Sequence, residues 1–178
     1  MVLGVMGVLL AVAVPRMGSF GSSDDSHNLS NALSLAKLKA ASAFTQTRLF
    51  VDLGGRRHHI EWWRKTGTPG WVALNGPTLL NNGEAFAFAP VGTPPPSTQP
   101  AIAQAPLCRD DDGMDIAGTA CVVFNSRGVP VDTTGAPTNG DALYVTNGNL
   151  VGAVTVSATG LISVWSTRSQ ATPAWAHK

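Results

Sequence analysis

The stretch Asn28–Leu53, NLSNALSLAKLKAASAFTQTRLFVDL, changes its hydrophobic period halfway along, and that change decides the fold class. In its first part apolar residues fall at Leu29, Ala32, Leu33, Ala36, Ala40, Ala43 and Phe44, with Thr47 next in the series. Steps of three and four are the pattern of an amphipathic helix, and the spacing predicts one over 23–47. Lys37, Lys39 and Gln46 fall on or near the opposite face, and Asp24, Asp25 or Ser26 is placed to cap the N-terminus and complement the helix dipole. The stripe is rich in Ala, so a sheet can approach it closely. From Arg48 the period drops to two, with Leu49, Val51 and Leu53 on one face of a strand. A helix followed by strands places the chain in the α+β class, a long N-terminal helix packed on an antiparallel β-sheet domain over 48–178.

Towards the C-terminus the strand signals continue. Gly54-Gly55 predicts a hairpin into Arg57–Trp63, where His58, Ile60 and Trp62 alternate with Arg57, His59, Glu61 and Trp63. A third short strand is expected over Gly70–Leu74. Residues 75–107 read as loop, and Pro90, Pro94, Pro95, Pro96, Pro100 and Pro106 make 90–106 an extended, partly polyproline surface segment. Beyond it, Cys121–Phe124 leads through Asn125-Ser126-Arg127-Gly128 into Val129-Pro130-Val131. Leu143–Thr146 meets an Asn147-Gly148 turn, and Leu150–Ser157 turns at Ala158-Thr159-Gly160 into Leu161–Trp165, an antiparallel meander in which Val154 and Val156 face Ile162 and Val164.

Towards the N-terminus lies MVLGVMGVLLAVAV, Met1–Val14, followed by Pro15 and the first charge at Arg16. At ~1.5 Å per residue it covers ~21 Å, short of the ~30 Å hydrocarbon core of a bilayer. A buried core helix, a secretory signal peptide and a membrane anchor lacking its beginning are the three readings, and composition does not choose among them.

The whole chain has 178 residues, a net charge of +1 and only 13% charged side chains. That balance excludes a globally basic nucleic-acid binder and a disordered or coiled-coil chain. Two Cys exclude a Cys₄ zinc site. Cys108 and Cys121 bracket an acidic turn. In an oxidising compartment they are expected to pair, stabilising the fold by ~3 kcal/mol, and in a reducing one to remain buried thiols.

Residues with chemical potential are scattered. His58 and His59 are neighbours on a strand and point to opposite faces, which argues against a shared metal. Asp110, Asp111, Asp112 and Asp115 around Gly113 lack the spacing of an EF-hand loop, and a solvated turn is the preferred reading. Arg56, Arg57, Arg64 and Lys65 with Trp62, Trp63 and Trp71 combine basic and aromatic groups as single-strand nucleic-acid sites do, although alternation sends at least one Trp into the core. With no Gly-x-Ser-x-Gly, no phosphate loop, and only Glu61 and Glu84 as glutamates, an enzyme is not expected.

Taken in order, Leu9-Leu10-Ala11-Val12-Ala13-Val14-Pro15, Ala36-Lys37-Leu38-Lys39-Ala40-Ala41, Gly70-Trp71-Val72, Phe124-Asn125-Ser126-Arg127-Gly128 and Ser157-Ala158-Thr159-Gly160 run through nearly the whole chain. Their order and spacing resemble the type IV pilin-like proteins, specifically the GspH/FimT family of minor pilins and type II secretion pseudopilins. Members of that family carry a short basic leader ending in Gly, then Phe-Thr-Leu-Ile-Glu. This sequence begins inside the apolar run that follows, so an incomplete start is expected, and about seven more residues would bring the run to the ~20 that span a bilayer.

The resemblance implies a non-catalytic subunit without cofactor or small-molecule substrate. Residues 1–22 would be a transmembrane and assembly helix, with Val5, Gly7, Leu9, Leu10, Val12, Val14 and Pro15 facing the inner membrane and then the equivalent helices of other pilin or pseudopilin subunits. Residues 48–178 would lie in the periplasm and, after assembly, on the filament. Secreted substrate or DNA are further partners it implies. A DNA-binding minor pilin for DNA uptake is the alternative, with Arg56, Arg57, Arg64 and Lys65 as the contact. A secreted periplasmic binding domain with a cleaved signal peptide is the second alternative.

Overall fold

The computed structural model describes residues 21–132 and 134–178. The expected assembly-helix positions Val5, Gly7, Leu9, Leu10, Val12, Val14 and Pro15 lie outside the described residues. Among the described residues no helix is long and apolar enough to cross a membrane.

The predicted helix forms as α1 (Gly21–Ser42), about 33 Å long. It starts early enough that Asp24, Asp25 and Ser26 lie inside it instead of capping it. It also ends at Ser42, short of residue 47. The Thr45 amide bonds to the Ala40 carbonyl at 3.2 Å and the Phe44 amide to Ala41 at 3.4 Å, while Phe44 takes a φ of 48°. That pair of bonds is a Schellman stop, here with Phe in the left-handed position that glycine usually fills. Phe44 is thereby turned out to solvent, and Thr47 belongs to the first strand.

The strands are β1 (Thr47–Asp52), β2 (Arg57–Arg64), β3 (Gly70–Ala73), β4 (Thr78–Leu79), β5 (Cys108–Arg109), β6 (Asp115–Ile116), β7 (Thr119–Phe124), β8 (Pro130–Val131), β9 (Asp141–Thr146), β10 (Leu150–Val156), β11 (Ile162–Arg168) and β12 (Ala176–His177). They form two antiparallel sheets and a ribbon where the sequence suggested one β region. The first sheet runs β3-β2-β1-β7-β8, with β4 also on β2; the second runs β12-β11-β10-β9; β5 and β6 pair separately. The hairpin through Gly54-Gly55 is present, with Asp52 opposite Arg57, and so is the meander, with Val154 opposite Val164 and Val156 opposite Ile162.

One core joins all three layers. Leu29, Leu33, Ala36 and Ala40 of α1 are fully buried against Leu49, Val51, Ile60, Val122 and Phe124 of the first sheet and Leu143, Val145, Val154 and Val156 of the second. The alanines let the helix lie close to both sheets, and the alternation that buries these strand residues turns their neighbours to the far faces.

The far face of the second sheet has its own cover. Val91 packs with Ala142, Tyr144, Val151 and Ala153, and Phe88, Ile102 and Trp175 close over them. The proline-rich segment lies at the surface as expected, and Val91 and Ile102 anchor it on this sheet face. Its apolar residues are seated on Tyr144, and Gln104 is tied to the Tyr144 backbone at both ends of its amide, 2.9 Å each.

Candidate functional site

Two surfaces stand out once the core is accounted for: the outward face of α1, and a cavity on the far side of the first sheet. On α1, Leu35 and Leu38 are 51% and 67% exposed, and Phe44 just past the helix is 75% exposed. Leu35 and Leu38 are one helical turn apart and form an apolar patch on an outer face that otherwise carries Asp24, His27, Asn28, Asn31 and Ser34. Lysines expected on that outer face turn inward instead. Lys37 Nζ donates to the Gly160 carbonyl at 2.8 Å, and Lys39 lies 5.6 Å over the ring of Trp62.

The cavity has a volume of 480 Å³ and lies between the turn that joins β5 to β6 and the loop that joins β8 to β9. One wall is aromatic, with Trp63 and Trp71 meeting edge to face at 5.4 Å. Neither Trp62 nor Trp63 enters the core, contrary to expectation: one faces α1 beside Lys39 and the other faces the cavity. Behind the wall sits Arg48, 4% exposed, its guanidinium 4.0 Å from the Trp71 centroid and 2.5 Å from Glu61 Oε2. It also donates to the Arg109 carbonyl. Burial pushes the Arg48 pKa down and the Glu61 carboxylate opposes that shift. His59 shares Glu61 through its other oxygen at 2.9 Å.

The acidic turn forms the opposite rim. Asp110 Oδ1 accepts the amides of Asp112 and Met114, Asp115 pairs with Arg109 at 2.9 Å, and Asp111 Oδ1 accepts the Trp71 amide at 2.8 Å. These bonds shape a turn, in line with the solvated reading, and among the described residues no group of three or more His, Cys, Asp or Glu could hold a metal ion. Gly70 explains why Asp111 can come so near, since a Cβ there would sit 2.6 Å from its carboxylate. The Cys108–Cys121 disulfide fixes the whole turn to β7. From the β8–β9 side come Asp132, whose carboxyl is held below the usual range by bonds from Thr134 and Ala136, and Asp141, raised by burial and bonded by Thr138 at 2.8 Å.

The basic residues considered for nucleic acid are not gathered. Arg56 bonds to the Asn81 carbonyl and Arg57 to Asp52 at the hairpin, while Arg64 bonds to Thr68 and Lys65 to the Phe44 carbonyl at the far end of β2. Seven residue steps separate Arg57 from Arg64, which is about 23 Å along a strand and a change of face.

Other titratable groups are interior. His58 is buried and its pKa is lowered to about 4, chiefly by burial and then by His59. Glu84, within the stretch expected as loop, is buried and raised by desolvation and by Asp25, itself held by two bonds from Asn81 at 2.9 and 3.0 Å. Arg48 and Glu84 escaped sequence reasoning; the one available signal was a charged pair, Arg48 and Glu61, opposite each other in the hairpin register.

No family model and no curated protein matches the chain. Among solved structures it is similar to the minor pseudopilin EpsH from the Type 2 Secretion System of Vibrio cholerae, at 13% identity and a TM-score of 0.40, over 89% of this chain and 96% of that one.

Proposed function

We propose that this chain is a minor pilin or pseudopilin subunit, non-catalytic, which packs α1 and the apolar run before it against the helices of other pilin or pseudopilin subunits in a filament. The observation that carries the reading is the exposed leucine patch on the outer side of α1. Leu35 and Leu38 are exposed on a helix whose opposite stripe is already fully buried, and exposed apolar residues of this size, in a chain that also carries the apolar run MVLGVMGVLLAVAV, call for a partner. The Cys108–Cys121 disulfide supports a periplasmic setting for the β domain, because such bonds persist outside reducing compartments. On this reading the subunit waits in the inner membrane and leaves it on assembly, in a type II secretion pseudopilus or a type IV pilus.

The test is a double substitution, Leu35→Glu with Leu38→Glu, in a strain that carries the assembly machinery. Both side chains are exposed, so the domain should melt within a few degrees of the parent. The variant should be absent from the sheared filament fraction while its level in whole cells is unchanged. Incorporation equal to the parent would sink the reading.

A further inference from the structure

The lining of the cavity on the first sheet carries more carboxylates than cations. Its two lining cations are already committed, Arg48 to Glu61 at 2.5 Å and Arg109 to Asp115 at 2.9 Å. Asp110, Asp111, Asp132 and Asp141 also line it, from two different loops; Asp110 and Asp111 support the Arg48 charge from a distance, and Asp141 is raised by burial. Asp132 accepts enough hydrogen bonds to stay charged through neutral and mildly acidic pH. The same lining is apolar at the Trp63–Trp71 pair, Val123, Val131 and the exposed Leu107.

We propose that this cavity binds a basic segment of a partner polypeptide, seating an arginine or lysine side chain between the tryptophan wall and the carboxylates of Asp110, Asp111, Asp132 and Asp141. The chemistry matches on each count. A volume of 480 Å³ lies in the range of ligand sites. Tryptophan faces attract planar cations, and this wall already holds one, the Arg48 guanidinium at 4.0 Å. The aliphatic stem of Arg or Lys packs on apolar surface while its head stays with the carboxylates. Pro106 and the exposed Leu107 add apolar surface to the lining, which suits a chain segment better than a free cation. The site lies on the sheet face turned away from α1, so it stands whether or not the helix assembles into a filament.

The test uses the full chain in a neutral detergent and three probes: the blocked peptide Gly-Arg-Gly-Arg-Gly, its counterpart Gly-Glu-Gly-Glu-Gly, and arginine amide. Binding is followed by the indole NMR signals of the tryptophans. The arginine peptide should shift Trp63 and Trp71, leave Trp165 and Trp175 in place, and bind about tenfold more tightly than the glutamate peptide at low salt, the difference shrinking at high salt. In Asp111→Asn with Asp132→Asn, which keeps the acceptor oxygens of both residues, affinity should fall about tenfold. Equal affinity for the two peptides, shifts away from Trp63 and Trp71, or unchanged binding by the folded double variant would each overturn the proposal. Arginine amide binding as tightly as the peptide would overturn the polypeptide partner. The peptide comparison on the unmodified chain decides the matter even where the variant fails to fold.

Discussion

Lys37 Nζ donates a 2.8 Å hydrogen bond to the carbonyl of Gly160, 123 residues away, and its stem passes beside Gly128 so closely that a Cβ there would lie 3.0 Å from its Cγ. Gly128 ends the turn between β7 and β8 of the first sheet, and Gly160 ends the turn between β10 and β11 of the second. One lysine thus pins the helix where the two sheets meet. Three of the short segments that carry the resemblance to pilin-like proteins, around Lys37, Gly128 and Gly160, converge at this point.

Lys37→Met keeps the stem and removes the donor, leaving the Gly160 carbonyl with one partner fewer. Urea denaturation should show a loss of about 1.5 to 3 kcal/mol, the usual worth of a hydrogen bond to a charged group. Gly160→Ala should cost about 2 to 3 kcal/mol, because φ is +77° and the new Cβ would meet the Gly128 carbonyl at 2.6 Å. A Lys37→Met variant as stable as the parent would show that water replaces the ammonium without loss.

Arg48 and Glu61 form a pair at 4% and 14% side-chain exposure, so losing one partner leaves the other charge poorly solvated. Arg48→Met alone or Glu61→Leu alone should each cost about 3 kcal/mol, and the double variant should recover most of that. The cycle is read by chemical denaturation. Additive losses would mean that packing on Trp71 and Phe50, not the ion pair, is what each variant removes.

His58 gives the fold an acid sensitivity with a definite sign. Its folded pKa of about 4 lies below the unfolded value near 6.5, so the unfolded state binds the extra proton and stability is full above about pH 6.5, then falls as pH drops towards 4. Between pH 7 and pH 5 the loss from this residue is about 2 kcal/mol. Asp25, Glu84 and Asp141 act oppositely, since their raised values favour the folded state as it takes up protons in acid. The measurement is therefore a difference: His58→Leu should lose about 2 kcal/mol less than the parent over that interval. Parallel pH curves for the two proteins would refute the assignment.

The elements that the sequence made legible are those written in a local period. Leu29, Leu33, Ala36 and Ala40 at helical spacing, Leu49 and Val51 at strand spacing, and the glycine and Asn-Gly turns announce their structure within a few residues. What stayed hidden depends on pairings across the chain. The division into two sheets follows from β1 choosing β7 as its second neighbour, with Thr47 opposite Phe124. The cavity needs Asp111 beside Gly70 and Asp132 in the same lining, placements that no spacing encodes. The basic residues of β2 looked clustered because sequence distance was short, while an extended strand carries Arg57 and Arg64 to opposite ends.

Phe44 carries the last prediction, because it joins a cost in folding to an exposed aromatic ring. Its φ of 48° is left-handed, which costs an L-residue about 1 to 2 kcal/mol, and its ring makes up little of that by burial. Glycine would remove the strain but raise the entropy of the unfolded chain by about 0.4 to 1 kcal/mol. Phe44→Gly should then leave the domain slightly more stable, by roughly 0.5 kcal/mol, read as a small rise in melting temperature. If the ring is part of the helix contact between subunits, the same variant should enter filaments less well than the parent. Greater stability with poorer incorporation is the expected combination. A destabilised variant would show that Phe44 packs within its own subunit, and a stabilised one that assembles normally would remove the ring from the contact.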